Sequence, residues 1–120
     1  MINEKSQKLI KEFVENVSVE GVLVTDDSGQ RLYSTTSTLD DSDMDELATL
    51  ATVSDSLFER INHKLKIDGN EMTVIINKSD YIVIKHISDS LVLLSQIKRT
   101  VDIDLIYLEV NKLAEELMNV

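Results

Sequence analysis

Apolar and polar positions alternate along this chain with two different periods. Over residues 3–17, 43–65 and 102–118, apolar side chains recur every three to four positions, which is typical of helices that bury one stripe. Between these segments lie short runs rich in β-branched residues, bounded by turn residues, as in strands. The pattern predicts the element order α-β-β-α-β-β-β-α.

The first two predicted strands surround a tight turn within residues 21–34. Val22, Leu23 and Val24 favour a strand, and the turn residues of segment 26–29 follow. Gly29 closes the turn, where we expect a left-handed backbone conformation that a Cβ would disfavour. The segment therefore predicts a β-hairpin between two helices.

Three further β-runs at residues 72–76, 81–87 and 91–97 are separated by turn residues, which predicts an antiparallel meander. The runs are almost continuously apolar, so both faces of the sheet should be covered. We expect a three-layer α/β/α sandwich around a five-stranded antiparallel sheet. The terminal helices should share one face, and the long central helix should cover the other.

The central helix carries more apolar surface than one contact requires. Its apolar positions cover about half of the circumference, compared with roughly 100° for a single buried stripe. They are Met44, Leu47, Leu50, Ala51, Leu57, Phe58, Ile61 and Leu65. One edge of this arc is small and consists of Ala48, Ala51, Thr52 and Asp55. The helix is either buried deeply in its own domain or in contact with both its sheet and a second protein, which we prefer.

Local signals place the start of this helix at Ser42. Ser42 is followed three residues later by Asp45, which approximates a capping box, and acidic side chains suit the positive end of a helix dipole. We therefore expect Ser42 to be the N-cap.

Composition and charge narrow the classes of function. The chain has 120 residues, so we expect a single domain over residues 1–120. Its net charge of −10 repels phosphate backbones and anionic lipids, so we expect no nucleic-acid partner. No apolar run approaches about 18 residues, so we expect no membrane insertion. Cysteine is absent, and the first residues lack the layout of a signal peptide. Cytoplasmic location is the expectation.

The residues form no recognisable catalytic, cofactor or metal constellation. Three scattered glycines cannot build a phosphate loop. His63 and His86 lie in different elements, and for His86 we expect a structural hydrogen bond. The sequence Asp41-x-Asp43-x-Asp45 lacks the glycine and glutamate that complete a calcium loop. We predict no catalytic residues, no cofactor and no metal, and hence a protein that is not an enzyme.

Two segments in this order of elements resemble a known family. Gly21–Gly29 (GVLVTDDSG) and Leu47–Ala51 (LATLA) are similar to segments of the Roadblock family, which includes dynein light chains and bacterial and archaeal GTPase regulators of profilin/roadblock-like fold. The resemblance covers most of residues 5–100. Many members carry a glycine where this chain has Ile97–Arg99, and its last helix is longer than in the shortest members.

The resemblance implies a homodimer, or a heterodimer with a paralogous Roadblock protein. In that family the third strands pair edge to edge and the second helices pack across the two-fold axis. The corresponding positions here are Met72, Thr73, Val74, Ile75 and Ile76 on the strand, and Ala48, Ala51, Thr52 and Asp55 on the helix. Independently, the short, apolar and uncharged 72–76 run would be a poor unprotected edge strand.

The resemblance also implies a small Ras-like GTPase bound across the dimer, with this protein as a non-enzymatic activator or scaffold. Two alternatives stay open at this point. One is a structural adaptor subunit, dynein-like or ragulator-like, without effect on nucleotide turnover. The other is a small-ligand sensor, which the aromatic content of 4% disfavours.

Overall fold

The computed structural model describes residues 2–35 and 38–120, and its elements follow the predicted order. They are helix α1 (Glu4–Val17), strands β1 (Val19–Asp26) and β2 (Arg31–Ser34), helix α2 (Asp41–Lys64), strands β3 (Thr73–Ile76), β4 (Asp80–Ser88) and β5 (Leu91–Lys98), and helix α3 (Ile103–Met118). The strands form one sheet in the order β2-β1-β5-β4-β3, and every neighbouring pair is antiparallel. Strands β2 and β3 therefore lie at the two edges.

Two hydrophobic clusters, one on each face of the sheet, confirm the three-layer α/β/α sandwich. On one face α1 and α3 bury side chains such as Ile10 and Val110 against the sheet. On the other face α2 packs Met44 and Ala48 against Leu23 and the neighbouring strands. The terminal helices share one face, as the sequence predicted, and the central helix covers the other.

The β1–β2 turn has the backbone that the sequence predicted. Gly29 has a φ of +87°, a conformation that L side chains rarely adopt. A Cβ at Gly29 would also lie 3.3 Å from the Cα of Thr49 in α2. The glycine therefore serves both the turn and the close approach of α2 to the hairpin.

Strands β4 and β5 differ from the sequence prediction by one residue at their ends, and three other boundaries differ in ways that the structure explains. The N-cap of α2 is Asp40, whose carboxylate accepts a hydrogen bond from the backbone N–H of Asp43 at 2.8 Å; Ser42 lies inside the first turn, so its assignment as the cap was wrong. Strand β1 begins at Val19, earlier than expected. The backbone of Ser18 is in the left-handed conformation, which ends α1 and turns the chain directly into the strand. Met72 lies outside β3 and packs, partly buried, against the α1–α3 side of the core.

Candidate partner-binding face

Helix α2 presents a row of exposed apolar side chains away from its own sheet. The row, called here the outer face of α2, consists of Leu50, Val53, Leu57 and Ile61, each about half exposed. Their spacing of three to four residues places them on one side of the helix. An exposed apolar row of this length marks a candidate contact surface for a second molecule.

The small edge of α2 faces its own sheet, which corrects the side expected to meet a partner. Ala48, Ala51 and Asp55 are buried against the strands of the same chain, and Thr52 is half-buried. Small side chains let a helix approach any neighbour closely, and here that neighbour is the sheet. The excess apolar surface predicted for this helix is present, but its exposed part is the outer face.

A partly buried hydrogen bond links α2 to strand β4. The His86 Nδ1 atom lies 2.7 Å from Oδ2 of Asp55. Only 5% of Asp55 is exposed, and its Oδ1 has no hydrogen-bond partner among the described residues. The expected structural hydrogen bond of His86 is therefore present, and the carboxylate depends on it because burying an unpaired charge is costly.

The β1–β2 turn supports α2 from the other side. The Thr52 hydroxyl donates to the backbone carbonyls of Ala48 and Asp26, at 3.1 and 3.3 Å. The Asp26 carboxylate accepts hydrogen bonds from Gln30 N–H at 2.9 Å and from the N–H and hydroxyl of Ser28. The Gln30 N–H, followed by the Ser28 donors, lowers the pKa of Asp26, because these bonds favour the charged form.

Strand β3 provides a second candidate surface next to α2. It pairs with β4 on one side only, and its other backbone edge is free of strands in the described sheet. Ile75 and Ile76 are exposed, and β3 carries no charged residue. Natural edge strands usually carry charges or are covered, so this edge is suited to pairing with another strand.

The chain before β3 is held from both faces of the sheet. On the α2 side, the carboxylate of Glu59 accepts a hydrogen bond from the backbone N–H of Asn70 at 3.0 Å. On the α3 side, the carboxylate of Glu71 accepts hydrogen bonds from Tyr107 and Asn111. The bond to Glu71 raises the pKa of the Tyr107 hydroxyl. These anchors fix where β3 begins and leave its outer edge open.

Ile75 of β3 and the outer face of α2 lie on the same side of the sheet. Ile75 pairs with Ile82, and directly opposed residues of antiparallel strands point to the same face of a sheet. Ile82 packs against the α2 cluster, so Ile75 lies on the α2 side. A partner that pairs with β3 would therefore also meet the flank of α2.

Three further features of the described residues concern metal ions, cavities and membrane-spanning helices. No group of three or more histidine, cysteine or acidic side chains in segments 2–35 and 38–120 is placed to hold a metal ion. A cavity of about 280 Å³ lies between α2 and strands β1 and β5, with Met44, Leu47 and Leu94 in its wall. Larger depressions of about 450 and 590 Å³ lie beside the hairpin turn and along the outer face of α2. None of the helices in the described segments has the length and apolarity needed to cross a bilayer.

Solved structures with this fold include several Roadblock proteins. MglB of Myxococcus xanthus is similar with a TM-score of 0.90 and 16% identity over 99% of this chain and 96% of that chain. The gliding protein MglB of Thermus thermophilus has a TM-score of 0.83 and 16% identity, over 95% and 86% of the two chains. A Roadblock/LC7 domain of Streptomyces avermitilis has a TM-score of 0.82 and 17% identity, over 93% of each chain.

Comparison with curated protein sequences gives no significant match. The family model for the Roadblock/LC7 domain, in contrast, matches residues 5–96, which is most of the chain. That range includes the hairpin and α2, whose segments carried the resemblance in the sequence, and it also includes β3. This chain belongs to the Roadblock/LC7 domain family.

Proposed function

We propose that this protein is a non-enzymatic, cytoplasmic homodimer that regulates or scaffolds a small Ras-like GTPase. The observation that carries the proposal is the outer face of α2 beside the open, uncharged edge of β3 in a Roadblock/LC7 domain. In this proposal the dimer forms through the β3 edge and through α2. Of the helix positions expected from the sequence, only Thr52 is left partly accessible; the outer face replaces the others.

Self-association is supported by the energetic cost of the open surfaces. Burying apolar surface stabilises a protein by roughly 25 cal/mol per Å², and this free energy is not gained where the surface stays in water. An unprotected edge strand can also pair with a strand of another chain. A two-fold axis beside β3 would let two copies continue one sheet and bring the flanks of both α2 helices together. A solved MglB structure of the same fold is described as having a tetrameric arrangement, which supports self-association in such domains.

A GTPase partner is supported by the family and by the character of the surface. Roadblock/LC7 domains act as regulatory or adaptor domains, and the match covers residues 5–96. The net charge of −10 favours a partner with a basic patch. In this proposal the protein acts by binding and reshaping the GTPase, so it donates no catalytic side chain.

The test is to purify this protein with a Ras-like GTPase encoded beside its gene. We expect the two to co-elute in gel filtration and the rate of GTP hydrolysis to change. Co-elution without a rate change would support the scaffold form of the proposal. The absence of both co-elution and a rate change with that GTPase would contradict the proposal. Recovery of motor or scaffold subunits in place of the GTPase would favour the structural adaptor.

A further inference from the structure

The connection between α2 and β3 contains the one Asp-Gly pair of the chain, Asp68-Gly69. Both residues are exposed and lie outside helices and strands. Neither the Asp68 carboxylate nor the Gly69 backbone N–H forms a hydrogen bond or an ion pair with any described residue. Glycine has no Cβ that would hinder contact between its nitrogen and the preceding side chain. The carboxyl group and the main chain nitrogen are therefore adjacent, accessible to water and free to meet.

Other aspartates that precede a small residue are held by the fold. The chain has four Asp-Ser pairs, at residues 27–28, 41–42, 55–56 and 89–90. The second and third lie within α2, where the helix would have to unwind before a ring could close between carboxyl and nitrogen. In the two turns the serine nitrogen is engaged: the N–H of Ser28 donates to the Asp26 carboxylate at 3.0 Å, and the N–H of Ser90 donates to the Ser88 hydroxyl at 3.3 Å. The described structure thus restrains the Asp-Ser pairs and leaves Asp68-Gly69 free.

We propose that Asp68 is a modification site at which isoaspartate forms. The Gly69 nitrogen attacks the side-chain carboxyl carbon of Asp68, so that a C–N bond forms and a C–O bond breaks. The carboxyl hydroxyl and the amide proton leave together as water, and a five-membered succinimide ring remains. Water then adds to the main chain carbonyl of the ring and breaks its bond to nitrogen, after which the backbone runs through the Asp68 side chain. Mass and charge are unchanged, but the backbone is longer by one methylene group.

The added methylene group falls directly before the anchor of β3. The backbone N–H of Asn70 donates to the Glu59 carboxylate at 3.0 Å, and the side-chain amide of Asn70 donates to the Thr73 hydroxyl at 2.6 Å. A longer backbone at residue 68 displaces Asn70 relative to α2 and weakens these bonds, so the start of β3 is held less firmly. Isomerised chains should therefore also dimerise more weakly through β3, a consequence that rests on the proposed function.

Ageing of the full chain tests the site. The folded protein is kept at neutral pH and physiological temperature for several weeks and then treated with an isoaspartyl methyltransferase and labelled S-adenosylmethionine, which methylate the carboxylate of isoaspartate. Peptide mapping by mass spectrometry should place most of the label at residue 68. The unlabelled peptide should keep its mass, which distinguishes isomerisation of Asp68 from deamidation of Asn70.

Two variants and an internal site are the controls. Gly69→Ala should form several-fold less isoaspartate, because its methyl group hinders ring closure. Gly69 has no positive φ, and the added Cβ would make ordinary contact with the Glu59 carboxylate at 3.6 Å, so this variant should fold. Asp68→Glu keeps the charge but requires a larger ring, and it should lose the label at residue 68. Equal labelling of wild type and Gly69→Ala, or as much label at Asp89 as at Asp68, would overturn the proposal.

The effect on β3 is measured on the isomerised chains after chromatographic separation from the unmodified ones. Hydrogen exchange at the Asn70 amide should be faster in the isomerised chains, because local opening is easier once the bond to Glu59 is weakened. Sedimentation should give a higher Kd for their dimer. Equal exchange and equal Kd in the two fractions would overturn the effect on β3. A fresh wild-type chain that is already monomeric would instead contradict the proposed function, while label at residue 68 would still support the modification site.

Discussion

At the residue scale, Asp26 shows how one carboxylate organises the hairpin turn. It accepts hydrogen bonds from the backbone N–H groups of Gln30 and Ser28 and from the Ser28 hydroxyl. Its main chain carbonyl meanwhile accepts a bond from Thr52 of α2. Asp26, which the sequence identified only as a turn former, therefore helps to join the turn to the helix, together with the bond from the Thr49 hydroxyl to the Gly29 carbonyl.

The lowered pKa of Asp26 predicts a dependence of stability on pH. A carboxyl whose folded pKa lies below its unfolded value contributes stability above the unfolded pKa, near 4, and loses it as pH falls through the folded pKa. Asp26→Asn should therefore unfold at lower urea concentration than wild type at pH 7, and the gap should narrow towards pH 3. Asp27→Asn is the control, since Asp27 is exposed and accepts no side-chain hydrogen bond among the described residues. An equal gap at both pH values would contradict this account.

The Asp55–His86 contact predicts coupled effects on stability. His86→Ala leaves a carboxylate that is 5% exposed without its hydrogen-bond partner, and we expect a loss of about 1–3 kcal/mol in the free energy of unfolding. Asp55→Leu together with His86→Ala should cost less than the sum of the two single changes, because the double variant leaves no unpaired buried charge. Urea denaturation of the four proteins measures the coupling. Additive single effects would show that the contact is not an energetic pair.

At the element scale, the periodicity of α2 correctly indicated more apolar surface than its own sheet covers, but the small edge that was expected to meet a partner faces that sheet. The width of the apolar arc is readable from the sequence, because each position's angle follows from the helix period. Which part of the arc meets the sheet depends on how closely the helix approaches, and Gly29 beneath Thr49 allows a very close approach. The small side chains of Ala48 and Ala51 allow this close packing against the sheet, and the larger Leu57 and Ile61 stay exposed on the outer face.

Strand β3 was predicted more accurately than α2. An uncharged run of β-branched residues between turn signals is a strong local pattern, and Thr73–Ile76 lies inside the predicted 72–76 segment. Its place at the sheet edge came from the family resemblance, since one sequence does not specify strand order. The N-cap of α2 was predicted less well, because Asp40 and Ser42 are both favourable N-cap residues. Only the backbone conformation, extended at Asp40, distinguishes them.

At the scale of the whole molecule, the layers could be predicted because each element needs a covered apolar face and the order of elements allows few arrangements. The links between layers could not be predicted. Asp55 and His86 are 31 positions apart, and no local pattern pairs them. The proposed partner-binding surface is also a property of the whole molecule, since it consists of apolar area that stays exposed when the core is complete.

The most direct test of this account is the mass of the protein in solution when β3 carries a charge. Ile75→Lys places an ammonium group on the open edge and should convert a dimer of 13.6-kDa chains into monomers. Leu105→Lys is the matched control, since Leu105 is 42% exposed and Ile75 41%, but Leu105 lies on α3, on the other face of the sheet. At micromolar concentration, sedimentation should find dimers for wild type and Leu105→Lys and monomers for Ile75→Lys. Dimers of all three proteins, or a monomeric wild type, would contradict the proposed interface.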